Sequence, residues 1–177
     1  MIKLVHILSE TVIEPHWYIG PNPASNIVVV KKFSGGYKIL LVKRGGPTEH
    51  GKWSLPGGYQ NTTSIPKAGN QWKPGKETAE QTAIRELKEE TNLDASILKN
   101  QLKLIQTRKG ANPNNTEDSW VWLSSFALLL PDNFDVSKTK GLDDAIGAKW
   151  FADIADVEPL AFKDKDTIAK GLGLLFH

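Results

Sequence analysis

Apolar positions recur along this chain with two different periods, and the changes between them outline its elements. Residues 26–33 and 37–43 are apolar-rich runs separated by Gly35-Gly36, the pattern of two strands joined by a tight hairpin. Over residues 78–91 the period becomes helical. Ala83, Ile84 and Leu87 make one stripe at i, i+1 and i+4, in a stretch of good helix formers with no Gly or Pro inside. Residues 102–106 read as a short strand. Residues 120–130 alternate and then become wholly apolar, as a central strand covered on both faces would. Residues 148–151 form another short strand, and residues 164–175 a C-terminal helix with Ile168, Leu172 and Leu175 on one face.

These elements predict an α/β sandwich built on a mixed sheet. Residues 107–118 are polar and predict a loop, and no internal repeat is present. The first 25 residues contain Pro15, Pro21 and Pro23. They read as an N-terminal arm with an extra strand, either packing on the sheet or contacting a second subunit. Residues 26–177 then form a single domain, and a homodimer using the arm is the expected assembly.

Composition narrows the choice of partners. With 177 residues, 40% of them hydrophobic, the chain can bury a real core. Its net charge of +2, with no long basic run, argues against a nucleic-acid partner. No apolar stretch approaches membrane-spanning length, and residues 1–8 are too short for a signal peptide and carry no cleavage site. No membrane association and a cytoplasmic address are therefore expected. The absence of cysteine removes disulfides and thiol catalysis. The four histidines, His6, His16, His50 and His177, lack metal-ligand spacing.

The predicted helix at 78–91 carries the chemistry. At about 100° per residue, Glu86, Glu89 and Glu90 fall in one arc beside the apolar stripe. Like charges so placed are destabilising unless something neutralises them, and Mg²⁺ or Mn²⁺ prefers carboxylate oxygen. The alternative is a solvated acidic face. Against it stand Lys88, the only cation within the cluster, and Leu55-Pro56-Gly57-Gly58 a short way upstream.

At this point the chain resembles the Nudix hydrolase family, whose box is G-x5-E-x7-R-E-U-x-E-E-x-G-U with U aliphatic. Glu77, Arg85, Glu86, Leu87, Glu89, Glu90 and Leu93 match it in register, and Gly51-Lys-Trp53-Ser-Leu55-Pro56-Gly57-Gly58 resembles the run that precedes it. Two positions depart. Asn92 replaces the final Gly, and Asn is the next best residue in the left-handed turn that ends a helix. Gly58 stands nineteen positions before Glu77 where the box has six, so thirteen extra residues lie within 59–76. Strict register would put Gln71 at the Gly position, but Gly58 ends the Leu-Pro-Gly-Gly run and is expected to keep the role. The insert has no helical or strand period and reads either as a lid or as a tolerated surface loop.

The resemblance implies a metal-dependent pyrophosphohydrolase of the α/β/α sandwich type. Its substrate would be a nucleoside diphosphate linked to X, either ADP-ribose-like or a nucleoside triphosphate, with Mg²⁺ or Mn²⁺ as cofactor. Glu86, Glu89 and Glu90, with the Gly58 carbonyl, are the implied metal ligands. Those three glutamates and Arg85 are the implied catalytic set, with Arg85 pairing to Glu77 to orient the cluster. The general base remains open among Glu89, Glu90, Glu117, Asp118, Asp143 and Asp144. Tyr59, Trp72 and Arg108 are candidates for substrate contact, with Trp120 and Trp122 as alternative stacking residues and Lys109 as a second phosphate contact. Trp53 belongs to the motif and is expected to pack. Asp143-Asp144-Ala145, Lys149-Trp150-Phe151 and Leu160-Ala161-Phe162 resemble the ends of members acting on ADP-ribose, although Lys163-Asp164-Lys165 replaces their usual Asp-His. The competing reading is a catalytically silent domain of this family that binds a nucleotide. All box carboxylates are present, and 177 residues leave little room for an output module, so the hydrolase is expected.

Overall fold

Burial of alternate residues organises the molecule, which is described from a computed structural model over residues 18–62, 71–155 and 157–177. Strand β1 (Gly20–Phe33) is followed by β2 (Gly36–Arg44), β3 (Trp53–Ser54), β4 (Gly57–Tyr59), helix α1 (Ala79–Thr91), a 3-10 helix (Ser96–Gln101), β5 (Lys103–Lys109), β6 (Ser119–Leu129), β7 (Ala145–Phe151) and α2 (Asp164–Phe176). The strands form one mixed sheet of seven, in the order β3-β2-β1-β6-β5, with β4 also on β1 and β7 also on β2. The β1–β6 pair is parallel, and the other strand pairs are antiparallel.

The two faces of β1 divide the core. Ile27 and Val29 pack with Leu40, Phe126 and Leu128 against Ala83, Ile84 and Leu87 of α1. Val28 and Val30 pack with Ile39, Leu41 and Ala127 against Ile168 of α2. The expected α/β/α sandwich is therefore the observed one, with a buried, nearly continuous apolar run in the central strands.

Several elements reach further than the sequence pattern suggests. β1 begins at Gly20, six residues before the apolar run, because Gly20–Val30 pair with Ser119–Leu129 of β6 and Ala24–Asn26 also pair with β4. Pro21 and Pro23 are tolerated there, and Pro23 still accepts a hydrogen bond from the Gln60 N–H at 3.0 Å. Residues 1–17, the rest of the expected arm, lie outside the described residues. β5 continues through Thr107, Arg108 and Lys109, which pair with β6 rather than opening the loop. β7 starts three residues early, at Ala145. The Gly-Pro-rich run around residues 53–59 contains two short strands, β3 and β4.

Helix α1 is closed at both ends as its residues allow. Thr78 caps the N-terminus in a reciprocal box with Gln81. Asn92 takes the left-handed conformation at φ 59° and returns its N–H to the Lys88 carbonyl at 2.9 Å. Trp53 packs edge-on against Phe151, with ring centroids 4.9 Å apart, as expected of a packing residue.

A buried acid joins α2 to the loop that feeds β4. Asp164, 1% exposed, accepts the Leu55 N–H on Oδ2 at 2.9 Å. Burial raises its pKa to about 7, against the lowering effects of that N–H and of Arg108 and Arg44.

Truncating Leu87, fully buried between α1 and the sheet, to Ala should cost about 2–5 kcal/mol in urea unfolding. The acid gives a second test. The folded state keeps the Asp164 proton where the unfolded chain has lost it, so this contribution is complete below roughly pH 4 and lost as pH rises through about 7. With divalent cations chelated, the melting temperature should therefore fall between roughly pH 4 and 7, and less steeply in Asp164→Asn than in the parent.

Candidate functional site

Helix α1 presents its acidic side to the turn between β3 and β4, and one arginine ties the two together. Arg85 donates through Nε to Glu77 Oε1 at 2.7 Å, through Nη1 to Glu86 Oε1 at 2.6 Å and Glu89 Oε2 at 2.7 Å, and through Nη2 to the Tyr59 carbonyl at 2.9 Å. Glu77 also accepts the Asn61 N–H at 2.8 Å, and its carbonyl accepts from the Gln60 side chain. Burial of Glu77 is outweighed by the Arg85 fork, the Asn61 N–H and the Thr82 side chain, which hold it below the usual carboxylate range. The expected pairing of Arg85 with Glu77 is thus present, and it spans the insert from both sides.

Glu90 faces the other way. It is 3% exposed, and its Oε2 accepts the Gly57 N–H at 2.8 Å. Burial, followed by the negative charges of Asp144 and Glu86, pushes its pKa up to about 9, against the pull of that N–H. Burial also raises Glu86, with Glu89 and Asp144 adding to the shift and Arg85 opposing it. Glu86 and Glu90 therefore keep their protons to higher pH than ordinary glutamates, with the Asp144 charge beside them.

Two glycines permit this approach. Gly57 has φ +159°, and a Cβ there would lie 2.3 Å from the Ser25 carbonyl oxygen. A Cβ on Gly58 would lie 2.5 Å from the Glu86 carboxyl group. Gly58, not Gln71, stands beside the carboxylates. Gln71 forms an isolated bridge with Ile19 instead.

The other candidates separate in space. Of the four loop acids, Asp144 is the one whose charge bears on Glu86 and Glu90. All four are exposed, so nearness to the box glutamates rather than burial sets Asp144 apart. Tyr59 lines a cleft of about 170 Å³ with Gly57, Gly58, Asp144, Arg44 and Phe162. Arg108 is half-buried on β5, its Nη2 3.4 Å from the Thr167 hydroxyl, and is not among the cleft's lining residues. Trp72 is half-buried rather than exposed and does not line the cleft either. Trp120 lies under the Lys109 ammonium at 5.1 Å, and Trp122 is 44% exposed on the same strand. The sequence pattern gave no signal for Arg44, whose guanidinium stands 4.7 Å from the Phe162 ring centre, or for Gly57 as a hydrogen-bond donor.

The donor set suits a hard divalent cation, since it consists of carboxylates and a nearby backbone carbonyl. Among the described residues no three Asp, Glu or His side chains converge as a ready-made cage. Arg85 engages one oxygen each of Glu86 and Glu89, which leaves the second oxygen of each carboxylate to face a cation.

The fold recurs in solved structures. The NUDIX domain of Shewanella oneidensis NrtR, complexed with ADP ribose, matches with a TM-score of 0.67 at 21% identity, covering 98% of this chain and 99% of that one. NrtR from the same organism, complexed with a 27mer DNA, matches with a TM-score of 0.61 at 24% identity over 86% of this chain, which spans 61% of the NrtR chain. A bifunctional NMN adenylyltransferase/ADP ribose pyrophosphatase from Francisella tularensis, complexed with AMP and a manganese ion, matches with a TM-score of 0.59 at 17% identity, over 97% of this chain and 44% of that one. At these identities the likeness shows the fold. No curated protein matches the chain.

The expectation of no nucleic-acid partner is overturned, because a protein with this fold has been crystallised on a 27mer DNA. Net charge is a sum over the whole chain, and it does not exclude a partner bound through one surface. A NUDIX domain model matches residues 22–170, a span that holds Gly57, Gly58, Glu77, Arg85, Asp144 and all three box glutamates, and the chain belongs to the Nudix family.

Proposed function

We propose that this protein is a divalent-cation-dependent pyrophosphohydrolase acting on a nucleoside diphosphate linked to a second group, such as ADP-ribose. The observation that carries this reading is the acidic cluster of buried Glu90, half-buried Glu86 and exposed Asp144, with Gly58 packed against Glu86 in the lining of the cleft. Glu86, Glu89 and Glu90 would hold the cation with the Gly58 carbonyl. Once bound, Mg²⁺ or Mn²⁺ supplies neutralisation of phosphate charge and a bound water of lowered pKa.

The chain's own residues supply the rest. Arg85 orients Glu86 and Glu89 from one side while Glu77 fixes the guanidinium from the other. The Gly57 N–H holds the Glu90 carboxyl in place. Asp144 is the loop acid positioned to take a proton from an attacking water, because it is the one beside the box glutamates. The polyanionic substrate meets Arg44 at the cleft wall. Water attack at phosphorus would release a nucleoside monophosphate and the phosphorylated second group. Because the substrate is a soluble nucleotide, a soluble cytoplasmic protein is the setting this reading implies.

A second reading has its own support. The NrtR NUDIX domain has been crystallised with ADP ribose and NrtR with DNA, and in this chain Arg85 already occupies two of the box glutamates. On that reading the domain binds its nucleotide without cleaving it.

Incubation with Mg²⁺ and ADP-ribose, NADH, GDP-mannose, dGTP and Ap4A should release a monophosphate from at least one of them. Glu90→Gln should lower that rate about 100-fold or more without lowering the melting temperature, since the neutral amide still accepts the Gly57 N–H. Chelation of the cation should abolish turnover and be reversed by adding Mg²⁺ or Mn²⁺. Tight ADP-ribose binding with no release from any compound would favour the second reading.

A further inference from the structure

The cleft beside the acidic group has a wall that the hydrolytic chemistry does not use. Ser25 and Asn26 of β1 and Asp164 of α2 line it, and each carries a buried polar atom with no hydrogen-bond partner among the described residues: Ser25 Oγ, Asn26 Oδ1 and Asp164 Oδ1. Unpaired buried polar atoms are costly and scarce in folded proteins, so three on one cleft wall ask for an occupant. Asp164 is the most informative of them. It is 1% exposed, and its Oδ2 is committed to the Leu55 N–H at 2.9 Å, which leaves Oδ1 as an acceptor without a donor.

The surroundings describe what would supply that donor. Phe162 and Arg44 give the cleft an aromatic ring with a guanidinium stacked on it at 4.7 Å. Phe162 and Lys163 both take left-handed backbone angles, φ 52° and 59°, in the turn that delivers Asp164 to the wall. Such angles cost energy in non-glycine residues and persist where the surroundings enforce them. At about 170 Å³ the cleft is smaller than the roughly 300–1,000 Å³ of pockets that enclose whole drug-sized ligands. It has room for one ring system, with the phosphates placed beside Asp144 and Gly58, which also line it.

We propose that this cleft is the base subsite of the substrate, and that Asp164 Oδ1 selects a purine by accepting a hydrogen bond from its exocyclic amino group. The proposal rests on the nucleotide-hydrolase reading and adds to it a substrate class, amino-bearing purine nucleotides. An oxo group at the same ring position would bring lone pairs against the carboxylate and leave both acceptors unpaired. Arg44 and Arg108 are the charged groups that act on Asp164. Arg44 donates to the Thr48 carbonyl and Arg108 to the Thr167 hydroxyl, and neither hydrogen-bonds to Oδ1.

The test is the binding of AMP, GMP and IMP by titration calorimetry with Mg²⁺ present, at about pH 8, where Asp164 is ionised. IMP lacks both amino groups, so the tighter of AMP and GMP should bind about tenfold or more better than IMP. Asp164→Asn is the discriminating variant. The Leu55 N–H holds the amide oxygen, so the amide N–H₂ replaces Oδ1 at the wall and turns an acceptor into a donor. The preference should then shift towards IMP, which a merely structural role for Asp164 would not produce. Equal affinities for the three nucleotides in the parent protein, or an order unchanged in Asp164→Asn, overturn the proposal. So does undetectable binding of all three by a protein that still cleaves a phosphoanhydride, an outcome that leaves the hydrolase reading intact. The expected order and its shift, in a protein that cleaves nothing, would uphold the subsite and remove the hydrolase.

Discussion

Carboxylates withdrawn from water set the terms for this end of the molecule. Burial makes Glu86 and Glu90 costly to ionise, and the neighbouring charge of Asp144 adds to the cost at both. The fold answers with fixed partners of opposite polarity. Arg85 spreads one positive charge over Glu77, Glu86 and Glu89, and the Gly57 N–H is aimed at Glu90. Remove those partners and the acidic face of α1 has no reason to turn towards the β3–β4 turn.

The sheet supplies the rigidity this balance needs. β4 is only three residues long, yet it is held antiparallel against β1, and β1 is in turn paired along most of its length with β6. Gly57 and Gly58 thus sit on the central strand of the core rather than on a free loop. The insert departs just after them and returns at Glu77, where Arg85, Gln60 and Asn61 close the gap by hydrogen bonds. Thirteen residues can therefore be added without shifting the glycines from the helix they serve.

Much of this was legible beforehand, for identifiable reasons. Helix α1 announces itself through its period and its caps, and the register of Arg85, Glu86, Glu89 and Glu90 follows from the helix alone. The two packed faces follow from the apolar runs of β1 and β6. The short strands β3 and β4 were not legible, because Trp-Ser-Leu-Pro-Gly-Gly has no alternation and is extended only by pairing with β1 and β2. Pro21 and Pro23 masked the first half of β1 in the same way. At the site, nothing local separates Asp144 from Asp143, Glu117 or Asp118, since the difference is which of them the chain returns to α1. Asp164 read only as a departure from a familiar ending, and its burial depends on Leu55, 109 positions earlier.

The parallel pairing of β1 with β6 has a kinetic side. Their partners are distant in sequence, Gly20 pairing with Ser119 and Val30 with Leu129, and everything between the two strands, α1 included, is enclosed in that loop. High contact order of this kind slows folding, because chain entropy is lost before the long-range contacts repay it. α1 can form early from its own caps. The shelf it docks on is complete only after the later half of the chain has emerged and closed against the first, so the acidic helix passes through a period with its charges exposed and its apolar stripe uncovered.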